Sequence, residues 1–318
     1  MDNSITYSFV IPHHNTPDLL QRLIDSIPQR EDIEIIVVDD NSDEDKKANI
    51  SRPDVRIIYI DKEHSRGAGR ARNVGMDAVQ GKWLLFADAD DFYKQGFINV
   101  LDEYKDDDIE MLFYNIDSVN SDTLQPDNHN RANTLRRIIT AYDGTYKTAN
   151  NLLFFVFGPW RNMILSDFIR KYGFRFEESP KGNDQLFALS TSYFTCKWKV
   201  DTRIIYTLTY CKGSLTYRKL TKSRCLADLN LQRRKAKFYS FMGHPEWNYK
   251  CCRGYFFQSC FFFCYRQFRK NPHEGIKCFM YYLTNFISIE RKSNYYIDEV
   301  KRIEANLKAS SKNNEERH

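Results

Sequence analysis

"WLLFADADDFY", Trp83 to Tyr93, decides the fold. The unbroken apolar run Trp83–Phe86 reads as a strand covered on both faces, and the carboxylates of Asp88, Asp90 and Asp91 follow directly. A strand covered on both faces belongs to a sheet flanked by helices. In such sheets ligands gather beyond the carboxyl ends of the strands, where loop amides and helix N-termini converge. Carboxylates one residue apart at that place can both reach a hard divalent cation, which takes oxygen ligands, including those of phosphate. The bland alternative is a solvated turn or a helix cap, because Asp commonly follows strands.

Working outward, the same rhythm recurs on both sides. "YSFVI" (7–11), "IEIIVV" (33–38), "VRIIYI" (55–60) and "IEMLFY" (109–114) are short β-rich runs separated by helical patterns. The first helix starts at Thr16 as N-cap with Pro17 in the first helical position, and Leu19, Leu20, Leu23, Ile24 and Ile27 share one face. Gly67 to Gly81 reads as a second helix, opened and closed by glycine. The fold class is therefore α/β, with a Rossmann-like, mostly parallel sheet flanked by helices. Two further strand ends are polar, "PHHN" (12–15) and "DDNSDED" (39–45), although Asp39 and Asp40 also suit a turn.

Downstream, residues 117–148 read as a loop with one short helix near "TLRRIITAY". From Asn151 the pattern turns helical, first in "NLLFFVFGPWRNMI" and then in "NDQLFALSTSYF", whose Asp184 opens a helix. A first-turn acid there is also what a helix dipole favours. From about Thr221 only helical patterns remain, with a polar tail from about Ser310 expected to be disordered.

Composition narrows the function. The 318 residues carry 23 Phe and 20 Tyr, and the net charge of +5 hides a division. Residues 211–318 hold 22 Lys and Arg against 9 Asp and Glu, whereas the remainder holds 25 against 33. A basic face meeting something anionic follows, and lipid head groups, a diphosphate and nucleic acid all qualify. No nucleic-acid-binding module is recognisable, so nucleic acid is not expected as a partner. The eight cysteines show no paired knuckles or disulfide framework and read as thiols. No apolar run approaches the length of a bilayer crossing, and the chain is expected in the cytoplasm, with the inner face of the cell membrane as its one membrane contact. "GAGRAR" (67–72) fails the dinucleotide fingerprint at Arg72, and no phosphate-binding loop with Gly-Lys-Ser/Thr occurs.

Taken together, "FVIPHHN", "IEIIVVDDNSDED", "GAGRARNVGMDAVQGKWLLFADADDFY", "GPWRNMI" and "NDQLFA" resemble glycosyltransferase family 2, over roughly the first two thirds of the chain. The resemblance implies the GT-A fold and transfer of a sugar from a nucleoside-diphosphate donor, a UDP-sugar, to a glycan or lipid-diphosphate-linked acceptor in polysaccharide biosynthesis. It implies that Asp40 recognises the base, with Pro12 lining that pocket, that Arg72 contacts the donor and that Asp88 and Ala89 lie along it. Asp90 would be the direct ligand of Mg²⁺ or Mn²⁺, assisted by Asp88, and Asp184 the catalytic base of an inverting reaction. His64 stands where Asn is common and is a lesser donor contact, and His14 stands where Tyr is usual. Asn183 replaces the first member of a frequent acidic pair, leaving Asp184 alone. Trp160 and Arg161 are candidates for the acceptor side, with core packing as the alternative for Trp160 and a solvated cation as the alternative for Arg161. "YCKGSLTYRK" would be a mobile loop bringing Lys212 or Arg218 to the diphosphate. A Mg²⁺-dependent phosphohydrolase or nucleotidyltransferase and a non-catalytic nucleotide-sugar or glycan-binding protein are the competing readings.

The expected organisation is a catalytic domain over residues 1–220, with donor binding in 1–115 and the acceptor side in 116–220, then a helical, basic and aromatic extension over 221–318. Within the extension, residues 249–270 mix aromatics with cations. They are expected either to pack against protein or to make peripheral contact with a membrane.

Overall fold

The computed structural model describes residues 4–126, 130–155, 157–179, 181–210, 221–244, 247 and 258–315. It divides into two compact units. The first comprises residues 1–178 and 183–217, the second residues 179–182 and 218–318.

The first unit is built on one eight-stranded sheet in the order β3-β2-β1-β4-β7-β6-β8-β5. β1 (Tyr7–His13), β2 (Ile33–Asp40), β3 (Val55–Ile60) and β4 (Trp83–Phe86) run parallel, with Tyr7 opposite both Ile33 and Trp83. β1 and β4 are buried along their whole length, as continuous apolar runs require when helices cover both faces. α1 (Pro17–Ser26) buries Leu20, Leu23 and Ile24. Thr16 holds the N-cap position, but its side chain makes no capping bond, and its N–H donates instead to His13 Nε2 at 3.2 Å. α2 (Ala68–Asp77) lies against the sheet at Gly75, where a Cβ would come within 2.4 Å of a Val10 methyl.

The second half of the sheet departs from the sequence reading. "RNMI" is not helical. Pro159–Arg161 form one 3-10 turn, and β7 (Asn162–Leu165) pairs antiparallel with β4 and with β6 (Met111–Asn120). An apolar run this short fits either period, and the free edge of β4 decides between them. β6 also continues to Asn120, past the expected start of the loop, because β8 (Trp198–Tyr210) pairs parallel with it as far as Tyr210. β5 (Phe92–Tyr93) closes the order against β8. The sheet is thus mixed. Its helices here are α3 (Phe97–Asp102), α4 (Asn130–Thr140), α5 (Tyr146–Phe155), α6 (Ser166–Tyr172) and α7 (Asp184–Phe194).

In the second unit the described elements are all helical: α8 (Lys222–Phe241), α9 (Gln258–Lys270), α10 (Pro272–Arg291) and α11 (Tyr295–Glu315). α11 continues past Ser310, where the sequence leads one to expect disorder. Cys225, Leu229, Cys260, Phe263, Cys264, Cys278, Tyr282 and Ile289 form its apolar cluster, in which the cysteines act as small hydrophobes. Arg233 and Glu290 join α8 to α10, with Nη2 donating to Oε2 at 2.7 Å. Only part of the 249–270 segment falls in α9, and residues 249–257 lie outside the described residues, as does the loop with Lys212 and Arg218. Among the described residues no helix is long and apolar enough to cross a membrane.

Candidate active site

The parallel strands deliver their acids to one side of the sheet, and in each acidic turn one carboxylate is consumed by the fold. At the end of β2 it is Asp39, which is 1% exposed. Its oxygens accept from Ser42 N–H at 2.9 Å and Ala48 N–H at 2.8 Å and lie 3.0 Å from His13 Nδ1. Burial would raise this carboxyl, but the N–H groups of Ala48 and Ser42 outweigh burial and hold it below the usual range. Its neighbour Asp40 is left for other work. Oδ2 accepts from Gly67 N–H at the start of α2 (2.8 Å), while Oδ1 is buried with no hydrogen-bond partner. A buried acceptor without a donor costs free energy that a ligand N–H would recover. Pro12 lies in β1 opposite Val38, beside the strand that carries Asp40.

After β4 the consumed acid is Asp91, 2% exposed. It accepts from Tyr206 Oη at 2.8 Å and from Thr209 N–H at 2.7 Å, both on β8. The Tyr206 hydroxyl in turn accepts from Asp88 N–H at 3.0 Å, so one side chain fastens both ends of the Asp88–Asp91 turn. Thr209 Oγ1 and Arg22 Nη2 donate to the Asp90 carbonyl, the latter at 2.5 Å. Ala89 is buried beneath. Burial first, then the charges of Asp90 and Asp88, push the Asp91 carboxyl well above its usual range.

The Asp90 carboxyl reaches solvent but is walled by protein. That desolvation, followed by the neighbouring Asp88 carboxylate, pushes it up to about 6.

Arg72, on α2, connects this turn to α7. Its Nη2 donates to Asp88 Oδ1 at 2.5 Å and its Nη1 to Asn183 Oδ1 at 3.2 Å. The guanidinium lies over the Phe176 ring, 5.4 Å from the centroid, which leaves it held on both edges and one face. Asp184 follows Asn183 and is the first residue of α7, where unpaired helix N–H groups favour a carboxylate. Asp88 and the amino end of α7 are therefore spanned by a single guanidinium.

Residues not singled out from sequence make that span possible. Asn73 clamps Phe176 in both directions, accepting its N–H at 2.9 Å and donating to its carbonyl at 3.0 Å. Gly69 lets the same segment approach, for a Cβ there would lie 2.3 Å from the Glu177 carbonyl oxygen. Tyr206 and Thr209 come from β8, which the sequence reading did not resolve.

Trp160 and Arg161 are each 1% exposed. Trp160 stacks on Tyr206 at 6.1 Å between centroids, behind the acidic turn. Arg161 donates to the Leu152 carbonyl at 2.8 Å and to Ser192 Oγ, in α7, at 3.2 Å. Burial lowers its guanidinium to about 9, against the opposing pull of Asp184. Both side chains sit where they support the site from within. His64 is exposed, its Nδ1 2.7 Å from Asp61 Oδ1 in the turn after β3.

Residues 8–168 match the family model described as Glycosyl transferase family 2, half of the 318-residue chain. The chain belongs to glycosyltransferase family 2. Glycosyltransferase GlyA of Streptococcus pneumoniae serotype 4 is 35% identical over 107 residues, 32% of this chain and 15% of that protein. The GalNAc(5)-diNAcBac-PP-undecaprenol beta-1,3-glucosyltransferase of Campylobacter jejuni is 35% identical over 100 residues, 30% of this chain and 32% of that protein. The matches thus span about a third or less of either relative. The crystal structure of S. aureus TarS 1–349 in complex with UDP-GlcNAc shares the fold, with a TM-score of 0.57 at 16% identity over 95% of this chain and 84% of that one. The mixed sheet with flanking helices is accordingly a GT-A fold, and its C-terminal helices follow it.

Family 2 enzymes often depend on a divalent cation, and the acids can be weighed as its ligands. Among the described residues no three His, Cys, Asp or Glu side chains gather closely enough to hold a metal by themselves. Asp88 and Asp90 supply two carboxylates whose mutual repulsion contributes to raising Asp90, a strain that a cation relieves. Two carboxylates completed by phosphate oxygens and water is how Mg²⁺ is commonly held, so the residues fit a cation that arrives with a diphosphate.

Proposed function

We propose that this family 2 chain transfers a sugar, with inversion, from a UDP-sugar to a glycan or lipid-diphosphate-linked acceptor in polysaccharide biosynthesis. The observation that carries the reading is the Arg72 bridge, which puts the Asp88–Asp91 turn and the amino end of α7 on either side of one guanidinium.

Each residue then has a task set by its surroundings. Asp40 Oδ1, buried and without a partner, accepts an N–H of the base, while Pro12 borders the same pocket. Arg72 orients Asp88 and places a fixed positive charge near the diphosphate. Asp90, with Asp88, holds Mg²⁺ or Mn²⁺, which when bound offsets the charge that accumulates on the leaving diphosphate. Asp184 takes the proton of the acceptor hydroxyl as that oxygen attacks the anomeric carbon from the face opposite the diphosphate. A single base suffices for direct displacement, and the anomeric configuration inverts. The GalNAc(5)-diNAcBac-PP-undecaprenol beta-1,3-glucosyltransferase among the relatives, and the TarS complexes with UDP and UDP-GlcNAc, support the choice of acceptor and donor class.

The test is a screen of nucleotide sugars with Mn²⁺, read as released nucleoside diphosphate with and without glycan or polyprenyl-diphosphate acceptors. Acceptor-stimulated release of UDP from one donor supports the proposal. Release of sugar phosphate, or binding of a UDP-sugar without turnover across the acceptor panel, rejects it.

A further inference from the structure

α10 is amphipathic twice over. One face, Gly275, Cys278, Tyr282 and Ile289, is buried in the apolar cluster of the helical unit. The opposite side is also apolar, yet it lies in solvent: Ile276 is 56% exposed, Met280 51%, Leu283 52% and Ile287 74%. The spacing of these four keeps them on one side of the helix. On the adjoining helix α9, Cys260, Phe263 and Cys264 face inward, whereas Tyr265 and Phe268 are exposed. An exposed apolar stripe like that of α10 on a water-facing helix marks an interaction site.

Its charges say what covers it. Residues 258–292 carry Arg266, Arg269, Lys270, Lys277, Arg291 and Lys292 against Glu274 and Glu290, and Glu290 is engaged by Arg233 and Lys237. A second copy of the chain would set one basic rim against another, which disfavours self-association through this face. Apolar side chains flanked by Lys and Arg are instead what a helix needs to lie in the interface of an anionic membrane, side chains in the acyl boundary and cations among the head groups.

We propose that the outer face of α10 is a docking surface for an anionic lipid bilayer, along which α10 lies without crossing. α10 begins beyond residues 249–270, and its outer face is set apart by exposure and charge rather than by the nature of the sugar acceptor.

The experiment is vesicle flotation of the full chain at low ionic strength, with phosphatidylglycerol or phosphatidylcholine vesicles. Two exposed residues are changed together, Leu283→Glu with Ile287→Glu, and Ile287→Ser serves as a milder second variant; far-UV circular dichroism and thermal melting check that each is folded. The wild-type chain is expected to float with phosphatidylglycerol, to stay down with phosphatidylcholine and to be released by salt. The double variant should partition about tenfold less, and Ile287→Ser should fall between. Wild-type protein that stays down with phosphatidylglycerol vesicles, or a folded double variant that floats equally well, overturns the proposal. So does a concentration-dependent dimer that the same substitutions dissociate while flotation is unchanged. None of these outcomes bears on UDP release, so this proposal and the enzymatic one fail separately.

Discussion

The turns after β2 and after β4 are built alike and end in different chemistry. In each, one carboxylate is buried and spent on the fold, Asp39 in the first and Asp91 in the second, while its neighbour is not: Asp40 is buried with one oxygen unpaired, and Asp90 is exposed. Asp39 is met by two backbone N–H groups and His13, and its carboxyl is held low. Asp91 is met by one N–H and a tyrosine hydroxyl with two carboxylates close by, and its carboxyl is pushed up. The supply of N–H donors against the crowding of like charge separates a turn whose buried acid is held low from one whose buried acid is pushed up; in the proposed function the first borders the base and the second the cation. Acids that look equivalent in sequence are divided by what the backbone offers them.

The difference can be broken by substitution. Asp90→Asn removes the carboxylate that the proposed function assigns to the cation while keeping the shape of the turn, and Mn²⁺-dependent UDP release is expected to fall by about a thousandfold. Steady-state assays with Mn²⁺ titration check it, and turnover within a few fold of wild type would remove Asp90 from the site. A smaller effect, on stability rather than turnover, is expected at Asp39. Asp39→Asn loses the charge that the N–H groups stabilise and should cost about 2 kcal/mol in urea unfolding at neutral pH. Because the Asp39 carboxyl is depressed in the folded chain, that stability is present above the ordinary carboxylate range and is lost as pH falls through the depressed value. Wild type and variant should therefore converge in acid, and a constant gap down the pH scale would contradict the assignment. Smallest is Tyr206→Phe. It deletes the hydroxyl shared by Asp88 N–H and Asp91 and should cost about 1 kcal/mol of stability, with the thermal midpoint as its measure.

Much of the first turn was legible, because β1, β2 and β4 are apolar runs long enough to announce buried strands and their acids follow at once. Asp40, Asp88 and Asp90 could be picked out for the same reason, whereas Arg72, on α2, stood out only through the family resemblance. The second turn was legible only in its acids. What holds it, Tyr206 and Thr209, lies on β8, a strand whose "WKVDTRIIYTLTY" mixes charge with β-branched residues and whose partner β6 is about ninety residues away. Asn73 was hidden in another way: its partners are backbone atoms of Phe176, and a side chain that binds backbone leaves no mark on the partner's identity. β7 has the length of β4 but follows the helical run "NLLFFVF", whose apolar pattern extends over it, and only the vacant edge of β4 makes it a strand.

The central claim of the proposed function is that Asp184, next in the chain to the Asn183 that Arg72 holds, is the base for sugar transfer. It is tested most directly by Asp184→Asn, with donor affinity and acceptor-dependent UDP release measured on the same sample in Mn²⁺. Affinity within a few fold of wild type and release reduced by about a hundredfold or more are expected. Release that persists near the wild-type rate would contradict the claim.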